Sequence, residues 1–277
     1  MLTLVETISL AGDRAKQNDD TCGSRGASAW VIDGATDLHD APLTKAASDA
    51  AWIAHYLSTS LHSGALDDMR AAVRRASEGA AEAFAHLARG QSVEGWQSPI
   101  ASLLMVTEDA SGALRGLDIG DCRAFALDAE GAAHQAGGIE DGADHESQLA
   151  AKQTDAHKPL LRRTETIEML RRLRASQNGG GNSWTFCLDP ACADQARAWE
   201  LRLARPAHVL LCTDGFSALV DRYAAYDPGS LVKAALERGL QELGRNLRAI
   251  EAADSAGAKH PRFKRSDDAT ALLLRLA

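Results

Sequence analysis

Apolar runs in this chain repeatedly stop at an aspartate. Trp30-Val31-Ile32 halts at Asp33-Gly34, and Val209-Leu210-Leu211-Cys212 passes through Thr213 into Asp214-Gly215. Asp267-Asp268 immediately precedes the run Ala269 to Leu274, and Asp19-Asp20 lies in the loop after the first apolar stretch. Apolar runs this short, bounded by turn residues, read as strands. A lone Asp-Gly is ordinarily only a turn. Repeated at strand after strand, the arrangement puts carboxylates where a rigid sheet can aim them inward.

The rest of the chain fits a sheet-rich fold with helices between. Leu2 to Leu10 alternates with period two, and strands are expected again at Ile100 to Thr107, Leu114 to Ile119 and Arg123 to Leu127. Asp109-Ala110-Ser111-Gly112 and Gly120-Asp121 read as hairpin turns joining them. Two helices are expected, Thr44 to Leu61 and Leu66 to Leu87, packed as an antiparallel pair across a sheet face. Near the C-terminus the pattern gives strands at Trp199 to Ala204 and Val209 to Cys212. A helical region at Ser230 to Ala252 and a last strand at Thr270 to Leu276 follow. Gly137 to Asn182 is a long polar connection ending in Gly179-Gly180-Gly181, the character of a lid or binding flap. No repeat or linker divides the sequence, so residues 1–277 are expected to form one α+β domain.

Composition removes several classes of function. A formal charge of −8 argues against a general nucleic-acid binder. No run approaches the roughly 18 apolar residues of a membrane span, and Met1 to Glu6 lacks the basic start of a signal peptide. A cytoplasmic protein is expected. Cys22, Cys122, Cys187, Cys192 and Cys212 are scattered, with no histidine at zinc spacing and no Cys-x-x-Cys pair. The G-x-S-x-G elbow and the phosphate-binding P-loop are absent too.

What remains is oxygen-ligand chemistry. Carboxylates brought together repel, and would be protonated or splayed without a cation between them. A set of oxygen donors without histidine or cysteine selects hard ions such as Mg²⁺ or Mn²⁺. Glycine after the aspartate permits a close backbone approach, so that its carbonyl can join the ligands. Two such ions about 3.5–4 Å apart could activate a water for in-line attack on phosphorus. Hydrolysis without a side-chain nucleophile suits this inventory.

The motifs N-D-D (residues 18–20), V-I-D-G (31–34), G-D-C-R (120–123), C-T-D-G (212–215) and D-D-A-T (267–270) occur in that order. The chain thereby resembles the metal-dependent protein phosphatases of the PPM, or type 2C, family, over essentially its whole length from Leu10 to Leu276. The resemblance implies an α–β–β–α sandwich, two antiparallel sheets flanked by helices. It implies two Mn²⁺ or Mg²⁺ ions, with Asp33 bridging them and Gly34 offering its backbone oxygen. Asp214 and Asp267 would complete the first ion's carboxylates, and Asp20 would hold metal or metal-bound water, with Asp19 beside it. Asp121 would match the ligand of a third, weaker ion, and residues 137–182 would be the flap.

Four departures accompany the resemblance. Asp19 stands where glutamate is usual, and Ala35 follows Asp33-Gly34 where eukaryotic members have a histidine that could act as a general acid. Asp268 replaces the usual asparagine, adding a negative charge near the site. The phosphate-binding arginine is out of register, leaving Arg14 or Lys16 for that role. The expected activity is a serine/threonine phosphoprotein phosphatase, with Asp20 and Asp33 at the catalytic centre and a phosphorylated protein as partner. A monomer is expected, with neither nucleic acid nor membrane as partner. The alternatives are a catalytically weak phosphatase-like binding module and a small-molecule phosphomonoesterase.

Overall fold

The computed structural model describes residues 1–139, 142–153, 160–179 and 183–277. Among the described residues ten strands form two antiparallel five-stranded sheets. They are β1 (Leu2–Leu10), β2 (Thr21–Arg25), β3 (Ser28–Gly34), β4 (Ala101–Glu108), β5 (Leu114–Ile119), β6 (Arg123–Leu127), β7 (Ala133–Gly137), β8 (Arg197–Leu201), β9 (Ala207–Cys212) and β10 (Ala269–Leu276). The first sheet runs β1-β10-β9-β6-β7 and the second β2-β3-β4-β5-β8.

Period-two alternation explains why these sheets stack. Ala29 and Val31, Leu104 and Val106, Val209 and Leu211, and Leu272 and Leu274 all point into one core between the sheets. Their neighbours along each strand point outward. On the second sheet Trp30, Ile32, Leu103 and Met105 meet Ile53, Leu57 and Leu61 of α1 (Asp49–Ser63) and Val73, Ala76 and Ala80 of α2 (Met69–Leu87). On the first, Phe125, Leu210 and Leu273 meet Phe216 and Leu219, Leu231 and Val232, and Leu243 and Leu247. Both sheets are therefore apolar on both faces, and helices must cover the outer ones. The four-layer α–β–β–α sandwich is the result.

Two further helices lie in the segment expected to be a flap, α3 (Gly142–Ala151) and α4 (Thr164–Ser176). Residues 140–141, 154–159 and 180–182 of that segment lie outside the described residues. The chain then forms a single helical turn, α5 (Cys192–Gln195), before α6 (Asp214–Asp221), α7 (Pro228–Arg238) and α8 (Leu240–Ala253).

Three local expectations need correcting. Gly120-Asp121 is not a hairpin turn: β5 belongs to the second sheet and β6 to the first, so this joint carries the chain from one sheet to the other. Gly120, at φ +98°, turns it there, packed against Ser102. Asp214-Gly215 does not merely end a strand, since Asp214 is the first residue of α6. The helical region at 230–252 is two helices, broken at Gly239, whose φ of +80° no continuing helix accepts. With no side chain at that break, Glu6 of β1 caps α8 instead, accepting from Leu240 N at 2.9 Å.

Candidate metal centre

Strand ends from both sheets open onto one cavity of about 330 Å³. Asp33 is the penultimate residue of β3, opposite Ser102 of β4, and Gly34 follows it. Asp214 comes off the end of β9, Asp267 enters β10, and Asp121 sits on the crossing between the sheets. All five residues line the cavity. Asp20 is not among the lining residues and is only 4% exposed. Thr213 Oγ1 donates to its Oδ2 at 2.8 Å, while Oδ1 is buried with no hydrogen-bond partner.

The glycines serve close approach. A Cβ on Gly34 would lie 2.5 Å from the carbonyl oxygen of Ala50 and 2.6 Å from that of Asp19. A Cβ on Gly215 would lie 1.9 Å from the carbonyl oxygen of Asp268. The motif glycines thus let the N-terminus of α1, the Asp19-Asp20 loop and the Asp267-Asp268 loop close around the carboxylates.

Most of these carboxylates lack a paired cation. Burial pushes Asp33 well above the ordinary carboxylate range, and Asp20, Asp214 and Asp121 push it the same way. Asp214 is raised to about 7, by burial first and then by Asp267 and Asp121. Its carboxyl group is in hydrogen-bond contact with that of Asp33. Burial likewise raises Asp20 against the Thr213 hydrogen bond, with Asp268, Asp214 and Asp267 adding to it. Asp19 is raised to about 6 by burial, although its Oδ1 accepts from Ser48 Oγ, the N-cap of α1. Asp267 alone goes the other way: burial raises it, but Lys264 outweighs that and holds it below the usual range. Lys264 Nζ contacts Asp267 Oδ1 at 2.5 Å.

Such a set fits hard divalent cations. The donors are oxygens, several are neutralised only by protonation, and the buried Asp20 Oδ1 has no other use. Among the described residues no three of these carboxylates bring oxygens within 4.8 Å of one another. The trio that does is Asp37, His39 and Asp49, beside α1. Its oxygens are already engaged. Asp49 accepts from Leu43 N, Thr44 N, Thr44 Oγ1 and His39, and Asp37 accepts from Asp49 N and Ala50 N at the start of α1. That trio is a capping arrangement rather than an ion site.

The sequence-derived cations lie elsewhere. Arg14 and Lys16 are exposed on the loop before Asp19, and neither is among the residues lining the cavity. The cavity wall instead contains Lys264, Arg262, Arg222 of the α6 terminus and Arg174 of α4. Arg222 is ion-paired with Glu146 of α3, and Arg174 approaches Thr36 O at 3.4 Å. Asp268 turns out to be a staple: Oδ1 accepts from Gly12 N at 2.7 Å and Oδ2 from Asp19 N at 2.6 Å. Thr213 and Lys264 were not singled out in the sequence. Thr213 stood inside the C-T-D-G motif, whereas Lys264 had no signal beyond being three residues from Asp267.

Comparison with known proteins gives a consistent picture. The family described as Protein phosphatase 2C matches residues 13–248. No curated protein matches the sequence. The serine/threonine phosphatase PstP/Ppp of Mycobacterium tuberculosis has a similar structure, with a TM-score of 0.59 at 18% identity over 99% of this chain and 98% of its own. The PPM Ser-Thr phosphatase MsPP of Mycobacterium smegmatis, solved with cacodylate, gives 0.59 at 18% identity over 98% and 97%. The catalytic domain of PstP solved with two manganese ions gives 0.55 at 18% identity, covering 99% of each chain. At these identities the likeness is one of fold.

Proposed function

The chain belongs to the protein phosphatase 2C family, and we propose that it is a metal-dependent phosphatase acting on phosphoserine or phosphothreonine in proteins, with residues 1–277 as one catalytic unit. The observation that supports this most is the meeting of Asp33, Asp121, Asp214 and Asp267 at one cavity, with the buried Asp20, whose charge acts on Asp33, holding an unpartnered oxygen. The residues that would hold two Mn²⁺ or Mg²⁺ ions are Asp33, the Gly34 carbonyl, Asp214 and Asp267, with Asp20 on metal or metal-bound water and Asp121 as the ligand of a third ion. When bound, the ions supply an activated water and neutralise charge developing on phosphorus.

The protein's own residues set the geometry. Thr213 orients Asp20 through its hydroxyl. Asp268 fixes the loop that presents Asp19 and Asp20, and Ser48 holds Asp19 against α1. Ala35 cannot exchange a proton, so the position after Gly34 supplies no general acid. A phosphate entering the cavity meets Arg174 and Arg222 in its wall, whereas Arg14 does not line it. α3 and α4, from the segment we assign as the flap, contribute Glu146 and Arg174 to that wall.

The test is hydrolysis of a phosphothreonine peptide with Mn²⁺, with chelator, and by Asp33→Ala, Asp214→Ala and Arg14→Ala chains. Turnover should require Mn²⁺, and each aspartate variant should lose at least ~10²-fold in rate. An Asp33→Ala chain that stays folded and nearly fully active would rule the mechanism out. Arg14→Ala should raise KM if Arg14 orients phosphate, and an unchanged KM passes that role to the wall arginines.

A further inference from the structure

A lysine stands inside the carboxylate cluster. Lys264 Nζ is bonded to Asp267 Oδ1, with the two side chains 33% and 27% exposed. Its ammonium also interacts with the charges of Asp214 and Asp33, two further carboxylates of the same wall. A fixed positive charge therefore lies in the place whose chemistry selects divalent cations.

The scaffold behind it is built. Arg262, whose side chain is 3% exposed, donates from Nε to Arg265 O at 2.9 Å and from Nη1 to Asp254 Oδ2 at 3.0 Å and to His260 O at 2.9 Å. Its Nη2 donates to the carbonyls of Glu251 and Asp254. Arg163 Nη1 donates to Phe263 O at 2.9 Å, fixing the residue next to Lys264. On the far side Arg248 Nη2 donates to Asp267 O at 2.8 Å. The backbone on both sides of the Lys264–Asp267 pair is thus tied to the body of the protein, and the lysine's aim is set by the fold.

Resting on the metal-dependent reading above, we infer that Lys264 is a tethered counter-cation of the centre. It holds Asp267 in the ion-free protein and competes with a divalent ion for that carboxylate. Two consequences follow from electrostatics. A unit positive charge a few ångströms from an incoming dication opposes its binding, so the chain binds Mn²⁺ more weakly than its carboxylates alone would give. An ion taking Asp267 must also release the ammonium, and the flexible four-carbon stem and partial exposure of Lys264 allow it to turn to solvent.

Calorimetric Mn²⁺ titration of the wild-type chain, Lys264→Gln and Lys264→Arg tests this without reference to turnover. Removing the charge should tighten Mn²⁺ binding by about tenfold or more, while Lys264→Arg should stay near wild type. Equal or weaker binding by Lys264→Gln overturns the inference, as does absence of Mn²⁺ binding by all three chains. Should Lys264→Gln not fold, the wild-type chain answers the same question. Reductive methylation of Lys264, followed by peptide mass spectrometry, should run several-fold faster in saturating Mn²⁺ than in chelator. An unchanged rate overturns the displacement. Failure of the phosphatase reading shows separately, as wild-type chain that binds Mn²⁺ without hydrolysing phosphopeptide.

Discussion

Asp268 shows how one side chain can change its part in a site. Asparagine offers a single side-chain acceptor oxygen, whereas this carboxylate offers two, and both are used: one on Gly12 N and one on Asp19 N. The extra negative charge read from the sequence is thereby placed on backbone donors that stabilise it. Asp268→Ala should leave two partly buried N–H groups without partners and lower unfolding free energy by about 1–3 kcal/mol in urea titration. Asp268→Asn, keeping one acceptor, should fall between. A wild-type midpoint for both would mean that the loop is held by other contacts. Neither this staple nor the Lys264–Asp267 pair was legible in the sequence. A charged residue beside a motif looks the same whether it is solvated or pointed inward, and only the fold brings Gly12 to Asp268 across 256 positions.

The elements were legible where burial imposes a period and illegible where it does not. β1, β5 and β6 have the expected bounds: β5 and β6 are buried on both faces, and β1 is bounded by apolar residues with Leu2 and Ile8 buried. β2 and β7 are edge strands of sequence TCGSR and AHQAG, paired through backbone and carrying no apolar rhythm to read. α6 was hidden because Asp-Gly is a turn signal, and here it opens a helix directly from β9. The carboxylates were visible because strand ends are fixed by the same alternation. The phosphate-binding cation was not, because it depends on how loops and α4 lie over the cavity. At this scale the cap across Gly239 gives a prediction. Glu6→Ala should cost about 1 kcal/mol of stability, read by thermal or urea unfolding, through loss of the Leu240 N–H acceptor. Mn²⁺ affinity should be unchanged, since neither Glu6 nor Leu240 lines the cavity.

For the whole molecule, the cluster makes stability depend on pH in an unusual direction. Asp214, at about 7, and Asp19, at about 6, are both raised from 3.8. Between those values and 3.8 the folded ion-free chain keeps protons that the unfolded chain has released. Ion-free stability contributed by these groups is therefore fully present below about pH 4 and is lost as pH rises through 6 to 7. Ion binding requires the deprotonated carboxylates and should reverse the loss. Thermal melts at pH 5, 6 and 7 should show a rise in Tm with Mn²⁺ over chelator that grows with pH. A rise of constant size would mean that these carboxylates are already ionised in the ion-free protein.

The crossing at Gly120-Asp121 and the split origin of the carboxylates have a mechanical consequence. Asp33 belongs to one sheet, and Asp214 and Asp267 extend from the other. Any ion sharing them would join positions 33 and 267, closing a loop of 234 residues (267 − 33). In polymer terms that is a cross-link, and long loops gain most from closure because the unfolded chain loses most freedom. Unlike a disulfide, it opens and closes with the concentration of free ion. The seam between the two sheets would then be a joint whose stiffness the surrounding solution sets.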